Sequence, residues 1–457
     1  MHPMIKPALR RSWRGRHTMQ MGVTRAHAVS IHPVDSATGL FLRRLDGTRG
    51  LDALRREAHR FGLSPRSVDT LVARLTRAGL IDDGPPPPNG TGTPRDGHPT
   101  STDRPRHVHR SPHAGPPAAH AAPAADPPRP PLPPADPSRT DPPASGPAVV
   151  LRRARPPSSG LPPSGPPSSA SPAGRTTAAP SEGRGRGGVI PARLRADQAS
   201  LSVVHPEPGA AVARLGARRG LRVVVRGAGR VGASVAALLA AAGVGGVEVV
   251  DGGCVEPWDV APGGVGAGDV GRRRGDAALG AVRRAGPWPA ARGGRPGGAV
   301  SLVVLAPRDG LAAYAPDPEA ARQYREAGIP YVYAGVLEGT GVVGPLVLPG
   351  GSACAGCLAA ARTEREPEWP QMLAQWRAGG DREGVAACDV ALATMVAGLT
   401  AAHALTFLDG RLPVCTGARL EFALPGLAWE LTELDPHPRC GCGAAAAADR
   451  DTGVAHV

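Results

Sequence analysis

The chain has one lysine, Lys6, although lysine and arginine together number 53 in 457 residues. Its formal charge of +14 is therefore carried almost entirely by arginine. Any anion site in the body of the chain has to use the planar arginine fork and not the point charge of an ammonium group. Aromatic residues make up only 3%, against 53 prolines and 62 glycines. That balance excludes a chain packed into cores along its whole length. No stretch of 18 or more purely apolar residues is evident, so no membrane span is expected. The basic N-terminus lacks a following apolar run, so no secretion signal is expected. Cysteines number seven, four of them in close pairs. This is too few for a disulfide framework and suits a metal site in a reduced, cytoplasmic setting.

Residues 85–195 read as a disordered linker rich in proline, glycine and arginine. Stretches such as "AADPPRPPLPPADPSRTDPP" offer little apolar surface to offset chain entropy. Between Pro85 and Ser200 there are 14 arginines against 7 acids. Such a segment could touch nucleic acid nonspecifically, but it has no stacking aromatics, so it is read as a solvated spacer.

Residues 1–84 read as a small folded α+β domain of winged-helix type. "HTMQMGV" and "HAVSIHPV" alternate as strands do. "ATGLFLRRL" has helical spacing, and Leu51, Leu54, Ala58 and Phe61 share a second helix face. Ser64-Pro65 opens a third helix, with Val68, Leu71, Leu75 and Leu80 inward. The segments "FLRRLDGTRGLDALRREA" and "VDTLVARLTRAGLIDD" resemble the PqqD-like peptide-recognition domain of peptide-modifying enzymes. The resemblance implies a peptide partner, which would add as a strand at the sheet edge. The six arginines between Arg55 and Arg77 keep a DNA-binding winged helix as the rival reading.

The third segment, residues 196–443, carries the chemistry, with a flexible tail at 444–457. "LRVVVRG" reads as a buried parallel strand and runs into Gly227-Ala-Gly229-Arg-Val-Gly232. Gly227 permits the tight turn, Gly229 lets backbone approach a phosphate, and Gly232 lets helix pack on strand. Asp251 ends the next strand, where a carboxylate meets ribose hydroxyls. The order strand, turn, helix, strand, acid is a nucleotide cradle of Rossmann type.

Downstream segments place that cradle. The fingerprint, "DVG" at Asp269–Gly271, "IPYVYAGV", "GVVGPLVLPG", "CAGC" and "HPRCGCG" follow in an order that resembles the ThiF/MoeB/HesA family. These are bacterial relatives of ubiquitin-activating enzymes, and the resemblance runs from about Leu221 to Gly443. It implies a Rossmann-like, mostly parallel sheet that binds ATP with Mg²⁺. It also implies transfer of AMP to the C-terminus of a peptide or small carrier protein. The family's Asn-x-x-Arg-Gln falls here on Asp259 to Gly263, with Pro262 in place of the arginine. Its lysine becomes Arg274. Its magnesium-binding aspartate becomes Arg308, with Asp309 one place on. Arg274 and Asp309 are thus the candidate catalytic pair. Gly227, Gly229, Gly232, Asp251 and Arg274 are the candidate nucleotide residues.

Cys354-Ala-Gly-Cys357 and Cys440-Gly-Cys442 offer four thiolates from two turns, the donor set of a structural Zn²⁺ site. His437 is an alternative ligand. Cys388, before a long apolar helix, reads as a packing residue and not a nucleophile; the helix itself suits a homodimer seam. "EWPQMLAQW" places Trp369 and Trp376 on one core or lid face. Two functions stand. One is an adenylyltransferase of the ubiquitin-like-modifier-activating kind. The other is an inactive scaffold that presents a peptide to a separate modifying enzyme.

Overall fold

The computed structural model describes residues 1–83, 150–153, 190–205, 207–288, 298–379 and 385–447. The rest of the expected linker lies outside them. Met1–Gly84 and Val149–Val457 pack as one compact unit.

The N-terminal part holds β1 (Pro3–Ile5), β2 (Arg11–Gly15), β3 (Thr18–Met21), β4 (Val29–His32), α1 (Ser36–Arg44), α2 (Leu51–Arg60), α3 (Pro65–Arg77) and β5 (Ile81–Asp83). The three helices match the apolar spacing. Asp35 caps α1 by accepting from the Thr38 amide, and Ser64 caps α3 by accepting from that of Ser67. Leu54, Ala58, Val68, Leu71, Val72 and Leu75 close over Phe41 and Ile31. Five strands stand where alternation indicated two. The added β1, β2 and β5 are three to five residues long, too short for a period of two to register.

One strand falls inside the stretch expected to lack structure. β6 (Val150–Arg153) pairs antiparallel with β4, setting Ile31 opposite Leu151 and His32 opposite Val150. The small sheet therefore runs β2-β3-β4-β6. A four-residue strand needs only a partner edge, and its composition carries no separate mark.

The larger part begins with α4 (Arg195–Val204) and α5 (Ala210–Gly220). Then come β7 (Arg222–Arg226), α6 (Arg230–Ala241), β8 (Gly246–Val250), α7 (Arg274–Ala285) and β9 (Leu302–Leu305). Two short helices, α8 (Gly310–Tyr314) and α9 (Arg322–Glu326), precede the hairpin β10 (Tyr331–Leu337) and β11 (Thr340–Val347). Next are α10 (Ala355–Arg365), α11 (Trp369–Ala378), α12 (Val390–Leu408), β12 (Ala418–Ala423) and β13 (Ala428–Glu433). The seven-stranded sheet has the order β13-β12-β11-β10-β9-β7-β8. The ladders joining β8, β7, β9 and β10 are parallel, and those from β10 to β13 are antiparallel.

α12 corrects the expectation that no uncharged apolar run of 18 or more residues exists: it is long and apolar enough by composition to cross a bilayer. Here Leu392, Ala393, Val396, Ala397, Thr400, Ala401 and Ala404 are buried in the core shared with α6 and the sheet. The expected tail opens with a helical turn, Ala444–Ala447.

Among the contacts that seat the N-terminal part on the larger one, two involve its backbone directly. The Gln375 side chain on α11 accepts from the Trp13 amide at 2.8 Å and donates to its carbonyl at 3.0 Å. An amide side chain thus stands in for a neighbouring strand, and β2 is no longer an open edge. The second contact is Glu338, in the two-residue turn between β10 and β11. Glu338 and Gly339 both have positive φ, 49° and 71°. The glutamate carboxylate accepts from the amides of Arg10, Val23 and Thr24 at 2.9, 2.6 and 3.4 Å.

Candidate nucleotide site and metal centre

The fingerprint folds as its glycines require. Gly227 has φ of 103°, and a Cβ there would collide with the Ala306 carbonyl of the next strand's exit. A Cβ on Gly232 would collide with the Gly227 carbonyl. Gly229 N-caps α6 without a side-chain cap, and the Arg308 side chain lies over it at 3.4 Å from a would-be Cβ.

Asp251 accepts from the amides of Ala228 at 2.8 Å and Gly253 at 3.0 Å, and from Arg274 Nε at 2.9 Å. Burial pushes its carboxyl up, but these donors outweigh burial and hold it below the usual carboxylate range. Arg274, expected as a phosphate group's partner, is here paired within the chain. Its fork closes on Asp251 and on the Cys254 carbonyl at 2.6 Å. A side chain this close to an acid takes the nearest carboxylate first.

In front of the fingerprint lies a cavity of about 780 Å³. Gly229 and Arg230 form its floor, Glu256, Asp259 and Arg308 one wall, and Arg10 enters from the N-terminal part. Arg10 pairs with Asp309 at 2.5 Å and donates to the Trp376 carbonyl at 3.1 Å. Asp309 also caps α8 by accepting from the Leu311 amide. Arg308 pairs with Glu256 and, at 2.8 Å, with Asp259. Asp259 is buried, and loss of water pushes its carboxyl up to about 6 against the pull of Arg274. The chain thus brings Gly227, Gly229, Gly232, Asp251, Arg274 and Asp309 to one place. It adds Arg10, Arg230 and Glu256. Arg10 lies more than 200 residues from the fingerprint, and Arg230 occupies a variable position of it. Arg10 carried no signal in the sequence, whereas Arg230 opens the helix whose N-terminus, after the glycine turn, reads as a favourable anion position.

Cys388 is half-buried beside the cavity, and burial raises its thiol to about 11, so it stays protonated near neutrality. Trp369 and Trp376 stack edge to face with centroids 5.3 Å apart and belong to the core under α11.

On the other side of the sheet the four cysteines converge. Cys354 Sγ lies 3.9 Å from Cys357 and 3.6 Å from Cys440, and Cys357 lies 3.6 Å from Cys442. Four thiolates bound at about 2.3 Å to one tetrahedral ion lie about 3.8 Å apart. All four sulfurs are within 4.8 Å of one another, so the set fits Zn²⁺. Gly356 permits the approach, since a Cβ there would lie 2.7 Å from Cys440 Sγ. The hydrogen bond from Cys354 holds the Cys357 thiol below its ordinary range. His437 is not part of the set: its Nε2 faces Glu364 at 3.2 Å and its Nδ1 accepts from the Arg439 amide.

A parallel βαβ unit with its glycine turn, a cavity lined by arginine and four converging cysteines define a Rossmann-like α/β protein whose cysteine set fits a metal ion. The ThiF family pattern matches residues 214–444, and the chain belongs to the ThiF family. No curated protein sequence matches it. Among solved structures it is similar to E. coli MccB with MccA-N7isoASN, at 16% identity and TM-score 0.41, over 55% of this chain and 75% of that one. E. coli MccB with ATP is similar at 17% identity and TM-score 0.40, over 55% and 76%. PaaA is similar at 19% identity and TM-score 0.40, over 53% and 82%.

Proposed function

We propose that the chain binds ATP in the 780 Å³ cavity and a peptide or small carrier protein on its N-terminal part, and adenylates the C-terminal carboxylate of that partner. The observation that carries this reading is Arg10. It belongs to the part that resembles a peptide-recognition domain, yet its guanidinium stands in the cavity on Asp309. Peptide platform and nucleotide cradle therefore share a wall. β4 pairs with Val150–Arg153 of this chain, so an extended partner would add beside β4 by taking the place of that strand.

In this reading a carboxylate oxygen attacks the α-phosphorus, the bond to the β-phosphate breaks, and pyrophosphate leaves. Asp251 positions the ribose through oxygens already oriented by the Ala228 and Gly253 amides. Asp309, once released by Arg10, is the carboxylate that would hold Mg²⁺, which would offset charge on the leaving phosphates. The cysteine knot would hold Zn²⁺ in the reduced cytoplasm and tie the 354–357 turn to the C-terminal one.

One observation favours the scaffold reading. Arg10, Arg274 and Arg308 are all paired with carboxylates of the chain itself. ATP–pyrophosphate exchange decides between the two. Exchange that requires a peptide encoded beside this chain supports adenylation. ATP binding without exchange for any such peptide leaves the scaffold.

A further inference from the structure

The chain has six tryptophans, and all but one have their rings engaged. Trp369 and Trp376 are buried against each other, Trp13 packs on the small core, and Trp429 stacks on Phe422 at 4.6 Å. Trp288 donates to the Gly243 carbonyl and lies under Arg219. Trp258 is the exception. Among the described residues it has no aromatic partner, no cation over its ring and no hydrogen bond from its indole nitrogen. It is 39% exposed, and it lines the cavity in front of the fingerprint.

The turn that carries Trp258 is firmly held. Pro257, Trp258 and Asp259 form one turn of 3-10 helix after Glu256. Proline fixes φ at its first residue. The Asp259 amide donates to the Glu256 carbonyl at 2.9 Å. The Asp259 carboxylate accepts from the Glu256 amide at 3.0 Å and from Arg308 Nε at 2.8 Å. Asp259 thus anchors the turn from its buried side, and its neighbour Trp258 is left on the cavity. An indole held open in a cavity is a preformed contact surface for a flat apolar group of a ligand.

Its place indicates which ligand. Asp251, the acid assigned to a ribose, is bonded to Arg274 and is not among the residues that line the cavity. Trp258 belongs to the wall of Glu256 and Arg308, and the residue after Arg308 is Asp309, which holds Arg10. Pro7, Ala8 and Arg10 bring the N-terminal part to the same cavity. We propose that Trp258 is a specificity residue for the end of the bound peptide, selecting a partner whose C-terminal residue carries an aromatic side chain. The inference rests on the peptide reading above for the kind of partner, and on the unpartnered indole for the side chain it takes.

The test is calorimetry on the full-length protein with an acetylated tripeptide ending in phenylalanine, its counterpart ending in glycine, and adenosine. The phenylalanine peptide should bind about tenfold tighter than the glycine one. Trp258→Ala should remove that preference and Trp258→Phe should keep most of it, with adenosine unchanged in both variants. Equal affinity for the two peptides in the wild type, or binding of neither, overturns the proposal. So does a preference that survives Trp258→Ala. Loss of adenosine binding in Trp258→Ala overturns it as well, because the indole then serves a base. A preference that depends on Trp258, with no ATP–pyrophosphate exchange, keeps the proposal and ends the adenylation reading. Exchange driven equally by both peptides does the reverse.

Discussion

Asp259 shows how a single side chain can set the pH response of the fold. It is 2% exposed, and its carboxyl is raised from 3.8 to about 6. The folded chain therefore holds this proton where the unfolded chain has lost it. The group's contribution is full below about pH 4 and is lost as pH rises through about 6. By linkage the loss is up to about 3 kcal/mol. Asparagine cannot titrate and keeps an acceptor for Arg308. Urea denaturation of wild type and Asp259→Asn should give a stability difference that moves toward the variant as pH rises from 4 to 7. A difference flat across that range would mean that Arg274 and Arg308 cancel the cost of burial. The cysteines make a second prediction at this scale. Purified protein should contain about one zinc per chain, as expected for four thiolates around one ion. Cys354→Ser with Cys357→Ser should remove it and lower the melting temperature, since binding and folding are coupled. Full zinc content in that variant would rule out the cysteine set.

At the scale of elements, local patterns were legible and long-range partners were not. The fingerprint announces itself because turn, cap and packing glycines follow one strand within a few residues, and its apolar runs have helix and strand periods. The cysteine pairs are legible for the same reason, as each knuckle is a local turn. Arg10, Gln375 and Glu338 were not, because their meaning lies in partners about 300 or more residues away. β6 was hidden by the proline-rich stretch around it. Yet it covers the edge of β4, and a peptide pairing with β4 must displace it. The displaced strand is tethered to the same chain and competes at high effective concentration. A labelled peptide of residues 146–156 should therefore bind wild type poorly. It should bind at least tenfold better when Val150 and Leu151 are both changed to proline, which removes a ladder donor from the resident strand. Equal affinity for the two proteins would show that β6 does not guard this edge.

For the whole molecule, the question is what keeps the N-terminal part seated so that Arg10 stays in the cavity. The structure puts much of that task on Glu338. A non-glycine residue at φ of 49° is uncommon and costs conformational energy. Its side chain is buried, and burial raises its carboxyl even against three donated amides. Both costs persist because the carboxylate satisfies the amides of Arg10, Val23 and Thr24 at once. Glu338→Ala would leave those amides without an acceptor, at about 1–3 kcal/mol for each that stays buried. The cheaper outcome is for the N-terminal part to lift, letting water reach them. Hydrogen exchange should then quicken tenfold or more at Val23 and Arg10. The fingerprint strand and α6, whose core residues Val223, Val225 and Val235 do not depend on this contact, should stay protected. Glu338→Gln, with one acceptor oxygen left, should fall between. Uniform acceleration across both parts would mean that Glu338 supports global stability. No change at Val23 would mean that Gln375 and its neighbours suffice. Selective release would make this turn the joint that keeps Arg10 in the cavity.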